Sequence, residues 1–286
     1  MAVLYYLLIK PISLLPLPVT YLLFSDFLYA LLFHVIGFRK KVVWTNLTNS
    51  FPEKTEAERR QIMKQFYRHF VDLILESIRM FSMPKAEIIR RMILPNPEVL
   101  DQYYDAGRSV FIVAGHYNNW ELAALVLNAR VKHQAAGIYT PLQNPFFNKK
   151  LQESRGKLGL ELIPKRETGA YFKRTQQHPT ATIFGTDQSP THSRHVHWTR
   201  FLNQDTAVMV GSEKYSRQYN YPVIFGFIKK VKRGHYEMRF EVLEDNPATT
   251  TDGEITERHT RWLEQEILEA PQYWLWSHKR WKRKRE

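Results

Sequence analysis

Apolar residues dominate the first 38 positions, and polar ones only punctuate them. Lys10 interrupts the run early, and Pro11, Pro16 and Pro18 prevent one straight helix there. Val19 to Gly37 carries the pattern of a membrane-spanning helix. At a rise of about 1.5 Å per residue it covers close to the roughly 30 Å of a bilayer core. Asp26 and His34 lie inside it, so a helix packed on a domain or lying in the membrane interface is the competing reading. No small-residue cleavage site follows, which argues against a cleaved signal peptide. Arg39, Lys40 and Lys41 come next, and by the positive-inside rule they hold the remaining chain in the cytoplasm.

A helical period follows. Thr55 and Glu58 have the spacing of a capping box, and Ile62, Phe66, Phe70 and Leu73 then recur on one face until Pro84 ends the pattern. Arg59, Arg60, Lys64 and Arg68 fall largely on other faces, as in a scaffold helix. From Ser109 the period changes. Short apolar runs at 111–115, 135–139, 182–186, 206–210, 221–228 and 236–243 read as strands. Helical stretches separate several of them, at Trp120 to Arg130, Pro145 to Lys157, Ala170 to Gln177 and Ser212 to Tyr219. A basic turn with Gly234 joins the last two strands, which need not run parallel to the rest. A final helix, Thr251 to Glu269, opens on a second capping pattern, Thr251 with Glu254. The fold class is α/β: a mixed, mostly parallel central sheet flanked by helices, with an N-terminal membrane helix. Two parts follow, a membrane-anchoring segment at 1–38 and one domain at 39–286.

Charge narrows the partners. Lys plus Arg exceed Asp plus Glu by 41 to 28, so a polyanion is expected: nucleic acid, an anionic membrane, a phosphorylated ligand or an acidic carrier protein. No nucleic-acid motif is present, which disfavours the first. The chain has no cysteine, so disulfides, thiol nucleophiles and cysteine-based zinc sites are excluded. At the C-terminus Trp274, Trp276 and Trp281 alternate with a basic run from Lys279 to Arg285. That pattern reads as a surface for phospholipid headgroups.

Candidate chemistry starts at Ser109 to Leu127, SVFIVAGHYNNWELAALVL, a strand, a turn and a helix. Such turns at the carboxyl end of a strand are where α/β proteins place reactive groups. With His116 in the turn and Glu121 in the first helical turn, the two side chains can meet. A carboxylate fixes the imidazole tautomer, and the free nitrogen can take a proton from a hydroxyl. Asn118 and Glu121 also have capping-box spacing, so Glu121 has a purely structural alternative. Asp187 and Gln188, after the strand at 182–186, lie on the same edge if the strands are parallel. His192, His195 and His197 match no metal site that the spacing justifies, and a solvated, mobile loop without metal is the expectation. Arg155, Lys157, Lys165 and Arg166 form a basic set able to clamp a phosphate, or else an ordinary charged surface. No G-x-S-x-G block for a hydrolase nucleophile occurs.

Taken together, these blocks resemble the bacterial late acyltransferases of lipid A biosynthesis, the lauroyl/myristoyl group of the lysophospholipid-acyltransferase superfamily. The resemblance rests on FRKKVVWTNLTNSFPEKT, on GHYNNWE as the glutamate form of H-x4-(D/E), on IYTPLQNPFFNKKLQESRGKLGLELIPK, on TDQ after a strand, and on PQYWLWSHKRWK. Two places depart from related patterns. FPEKT at 51–55 precedes His116, whereas the similar FPEGT block of glycerolipid acyltransferases follows the histidine. Tyr139 is followed by Thr140 and Pro141, without the arginine that the family often carries there. The resemblance implies a glycerolipid-acyltransferase-like fold and transfer of a fatty acyl group, with no cofactor beyond an acyl donor, acyl carrier protein or coenzyme A. The acceptor would be a hydroxyl of a phosphorylated glycolipid at the cytoplasmic face of the bacterial inner membrane. His116 would be the general base, Glu121 its partner, and Arg155, Asp187, Gln188, Lys165 and Arg166 substrate-binding residues. The alternatives are acylation of another lipid or natural-product hydroxyl, or a membrane-tethered protein that binds anionic lipid.

Overall fold

The computed structural model of the protein describes residues 2–174, 177–191 and 195–285. Nine strands occur among them: β1 Met92–Ile93, β2 Val110–Ala114, β3 Gln134–Tyr139, β4 Glu161–Pro164, β5 Thr180–Gly185, β6 Val196–Phe201, β7 Gln204–Met209, β8 Val223–Lys232 and β9 His235–Glu244. Seven form one sheet in the order β1-β9-β8-β2-β5-β3-β4. β8, β2, β5, β3 and β4 are mutually parallel, while β9 runs antiparallel to β8 and carries β1 parallel to itself. The mixed, mostly parallel sheet expected from the alternating pattern is therefore the fold. Gly234, at φ 70°, makes the tight turn between β8 and β9.

Both faces of the sheet are covered, which explains why β2 is apolar at every position rather than alternating. Val110 and Ile112 point into one cluster, with Leu122, Leu125 and Val126 of the helix Trp120–Leu127. Phe111 and Val113 point into the other, with Phe66, Leu263, Trp274 and Trp276. The helix Glu56–Met80 opens on the predicted capping box: Thr55 Oγ1 accepts from the Glu58 N–H at 3.3 Å, and Glu58 Oε2 from the Thr55 N–H at 2.7 Å. At the second expected capping pattern only half of the box forms: Glu254 Oε2 accepts the Thr251 N–H at 3.1 Å, but the Glu254 N–H goes to the Thr251 carbonyl rather than its hydroxyl, and the final helix starts at Glu254 with Gly253 as its N-cap.

The apolar N-terminus folds back on the helix Glu56–Met80. Leu17–Val35, 19 residues, is helical and long and apolar enough to cross a membrane. Its inner face is buried at Leu17, Tyr21 and Ser25, and its outer face leaves Leu22 84% and Phe27 65% exposed. It is docked rather than loosely tethered, because Tyr21 donates a hydrogen bond to Glu76 at 2.6 Å.

Three expectations need correction. The 206–210 strand is β7, and it pairs with the unforeseen β6 in a separate antiparallel hairpin. Leu202 and Asn203, both at positive φ, form its two-residue turn. The loop read over 186–198 therefore ends at Val196, and His197 is a strand residue whose Nε2 lies 2.8 Å from Glu257 Oε2. His195 sits in the preceding bend, and His192 lies outside the described residues. Finally, Trp274 and Trp276 are not interfacial. They are 2% and 0% exposed and pack edge to face in the core, and Arg280 beside them is 3% exposed. Indole surface is worth more buried against Phe51 and Phe201 than laid on a headgroup layer.

Candidate active site

Parallel pairing of β2 with β5 sets the site. Ala114 and Gly185 are opposite each other at the ends of these strands, and the Thr186 N–H extends the ladder to the Ala114 carbonyl at 3.2 Å. Two residues further on, the same offset places His116 beside Asp187. Gly115, just before His116, leaves room for the buried Leu263: a Cβ there would lie 2.5 Å from Leu263 Cδ1 and force that side chain to shift. The Asp187 carboxylate grips the histidine twice, accepting its backbone N–H at 2.8 Å on Oδ2 and lying 2.6 Å from Nδ1 through Oδ1. The Trp274 indole N–H donates to Oδ2 at 2.8 Å. An ionised carboxylate at Nδ1 calls for the Nδ1–H tautomer, which leaves the Nε2 lone pair facing outward. The Gln188 amide stands 3.1 Å from that nitrogen.

Electrostatics follow from this packing. Burial alone would raise the Asp187 pKa, but the His116 ring, the backbone N–H and the indole hold it well below the usual carboxylate range. Burial also disfavours an imidazolium at His116. The charge and hydrogen bond of Asp187, helped by the charge of Glu121, outweigh it and raise the histidine above its ordinary value.

Glu121 is placed differently from the sequence expectation. Asn118 adopts a left-handed backbone, φ 49°, and Asn119 caps the helix by accepting the Leu122 N–H at 2.8 Å. Glu121 thereby turns to Arg155, whose Nε donates to its Oε2 at 2.8 Å and whose NH2 group bonds its Oε1. The carboxylate hydrogen-bonded to the imidazole is Asp187, and Glu121 acts on the ring through space. The Asn118–Glu121 capping alternative is replaced by Asn119 for the same reason.

His116, Glu121, Arg155, Lys165 and Gln188 all line one cleft of about 490 Å³, and Asp187 stands directly behind the imidazole. Its walls are largely apolar, with Leu160, Leu162, Ile183, Ile228 and Met238 among them. Two of the basic set lie outside the cleft, and Arg166 is the first: its side chain is 83% exposed and paired with Glu167. Lys157 is also absent from the lining and bonds the Met80 carbonyl at a helix end. Trp274 is the site residue that sequence reasoning missed; its only signal was its place in an aromatic block.

Comparison with curated proteins finds no match to this chain. A family model described as bacterial lipid A biosynthesis acyltransferase does match it, over residues 1–283 of 286. With nearly its whole length inside that match, the protein belongs to the bacterial lipid A biosynthesis acyltransferase family.

Proposed function

We propose that the protein transfers a fatty acyl chain from acyl carrier protein to a hydroxyl of a phosphorylated lipid A precursor, at the cytoplasmic face of the inner membrane. Family membership gives acyl transfer in lipid A biosynthesis and a glycolipid acceptor. The observation that carries the mechanism is the His116–Asp187 pair, with Nε2 turned into an apolar cleft that has Arg155 and Lys165 on its lining. The acceptor hydroxyl attacks the thioester carbonyl while His116 Nε2 takes its proton. Asp187 stabilises the imidazolium, as a buried carboxylate does behind a catalytic histidine. Collapse of the tetrahedral intermediate breaks the C–S bond, and the imidazolium returns the proton to the departing thiolate. The acyl chain lies along the apolar wall. Arg155 and Lys165 attract phosphate, and Arg155 is kept in place by Glu121. A net charge of +13 suits an acidic carrier protein as the donor, and would equally suit the phosphates of coenzyme A. Leu17–Val35 seats the cleft at the membrane, with Arg39, Lys40 and Lys41 on the cytoplasmic side.

The test is transfer of a labelled acyl group from acyl carrier protein, or from coenzyme A, to a phosphorylated glycolipid in mixed micelles. Label in the glycolipid with the carrier-protein donor is expected. Faster transfer from coenzyme A would overturn the donor assignment, and no transfer from either would overturn the reaction.

The same assay reads a steric prediction. Gly185 ends β5 without a positive φ, so its backbone accepts a side chain, but a Cβ on it would stand 2.9 Å from His116 Cε1. Gly185→Ala should displace the ring by a fraction of an ångström and lower kcat by about 10²-fold, with little change in melting temperature. Wild-type kcat in this variant would show that the imidazole does not act from its observed position.

A further inference from the structure

Behind the His116 turn stands a carboxylate that the mechanism does not use. Glu76 is 2% exposed, and among the described residues no Lys or Arg bonds it. Its partners are neutral donors from three elements. Tyr21, on the N-terminal apolar helix, reaches Oε1 at 2.6 Å. Tyr236, on β9, reaches both oxygens at 3.0 and 2.9 Å. Asn119 donates its amide to Oε2 at 2.5 Å. A buried carboxyl without a cation is an expensive way to fill space, and apolar side chains would pack there at lower cost. What the carboxyl group adds is direction. It fixes the Asn119 amide, so that the amide oxygen faces the Leu122 N–H and starts the helix after the His116 turn. Asn118, the strained residue between, is held at the same time by the Ile228 carbonyl at 2.6 Å and by the Tyr273 carbonyl at 3.0 Å.

We propose that Glu76 is a positioning residue for His116, coupling the seating of the N-terminal apolar helix to the geometry of the active-site turn. The line of transmission is Tyr21, Glu76, Asn119 and the start of the helix Trp120–Leu127. Its functional consequence rests on the proposed role of His116. Its structural content does not, because the position of the ring is observable without turnover.

The experiment uses the full chain in lipid nanodiscs, with 15N-labelled histidine and the variants Tyr21→Phe, Glu76→Gln and Asn119→Ala. Tyr21→Phe removes a single hydroxyl from a helix that does not touch His116, so it keeps the test open even where Glu76→Gln fails to fold. In Tyr21→Phe the His116 ring nitrogen signals should shift, and kcat should fall about 5–10-fold at unchanged KM. Tyr21→Phe and Asn119→Ala, whose residues do not bond each other but share Glu76 as a partner, should be non-additive in kcat, and additive once Glu76 is Gln. Unshifted His116 signals and wild-type kcat in Tyr21→Phe would overturn the coupling. So would a kcat loss that only follows the fraction unfolded. If the wild type transfers no acyl group, the functional reading fails, and the ring signals still decide the coupling.

Discussion

His116→Ala should lower kcat for acyl transfer by about three orders of magnitude, near the middle of the range for losing a general base. The binding surface should survive, because the cleft walls and the Glu121–Arg155 pair do not depend on the ring. KM should therefore change little, which is the signature of an interaction made mainly in the transition state. The fold should survive as well. Asp187 Oδ2 keeps the backbone N–H of residue 116 and the Trp274 indole, while Oδ1 loses the ring and is left to water entering the vacated space, a cost of about 1–3 kcal/mol at most. Steady-state kinetics beside a thermal melt separates the two effects. A His116→Ala enzyme within tenfold of wild-type kcat would remove the histidine from the reaction.

The parts of this site that were legible in the sequence are those set by short-range pattern. The all-apolar β2, the Thr55–Glu58 cap and the position of His116 in a strand-to-helix turn follow from neighbours within one helical turn or one strand. Asp187 could be placed on the same sheet edge, but not on the imidazole. That contact depends on β2 pairing directly with β5, in register, across some seventy residues of chain. Glu121, only five residues from His116, looked the better partner on spacing. The left-handed Asn118 and the cap at Asn119 rotate it toward Arg155, and neither is visible in a residue count. The tryptophans misled for a related reason. Indole beside lysine and arginine has the composition of a membrane interface, while burial at Trp274 and Trp276 is decided by what folds over them. β6 was missed because it carries His197, Thr199 and Arg200 within six residues, too polar for a core strand but ordinary for an edge hairpin.

Asp187→Asn is the sharper probe, because it separates the two carboxylates. Asparagine matches the shape but brings an NH2 group to a site where all three neighbours, the His116 N–H, the Trp274 N–H and Nδ1–H, donate. Whichever way the amide turns, one donor meets a donor or the ring is driven to the other tautomer. A loss of about 10²–10⁴-fold in kcat is expected. The pH profile should move with a definite sign. A general base works when neutral, so kcat/KM rises with pH through the histidine pKa. In the wild type Asp187 overcomes burial and holds that pKa above the ordinary histidine value, so the acid limb lies high. Without the anion burial prevails, and the limb should move to lower pH even as the plateau falls. Glu121→Gln should shift the limb in the same direction but by less, since its charge acts through space and its hydrogen bonds go to Arg155. The wild-type stability contribution has matching signs. The raised histidine stabilises the fold below its unfolded-state pKa and loses that contribution as pH rises through the folded value. The depressed aspartate stabilises it above its own unfolded-state pKa, a contribution lost as pH falls toward its low folded value. If Glu121→Gln gave the larger shift and the larger kcat loss, the working carboxylate would be Glu121. The imidazole would then have to leave Asp187 during turnover.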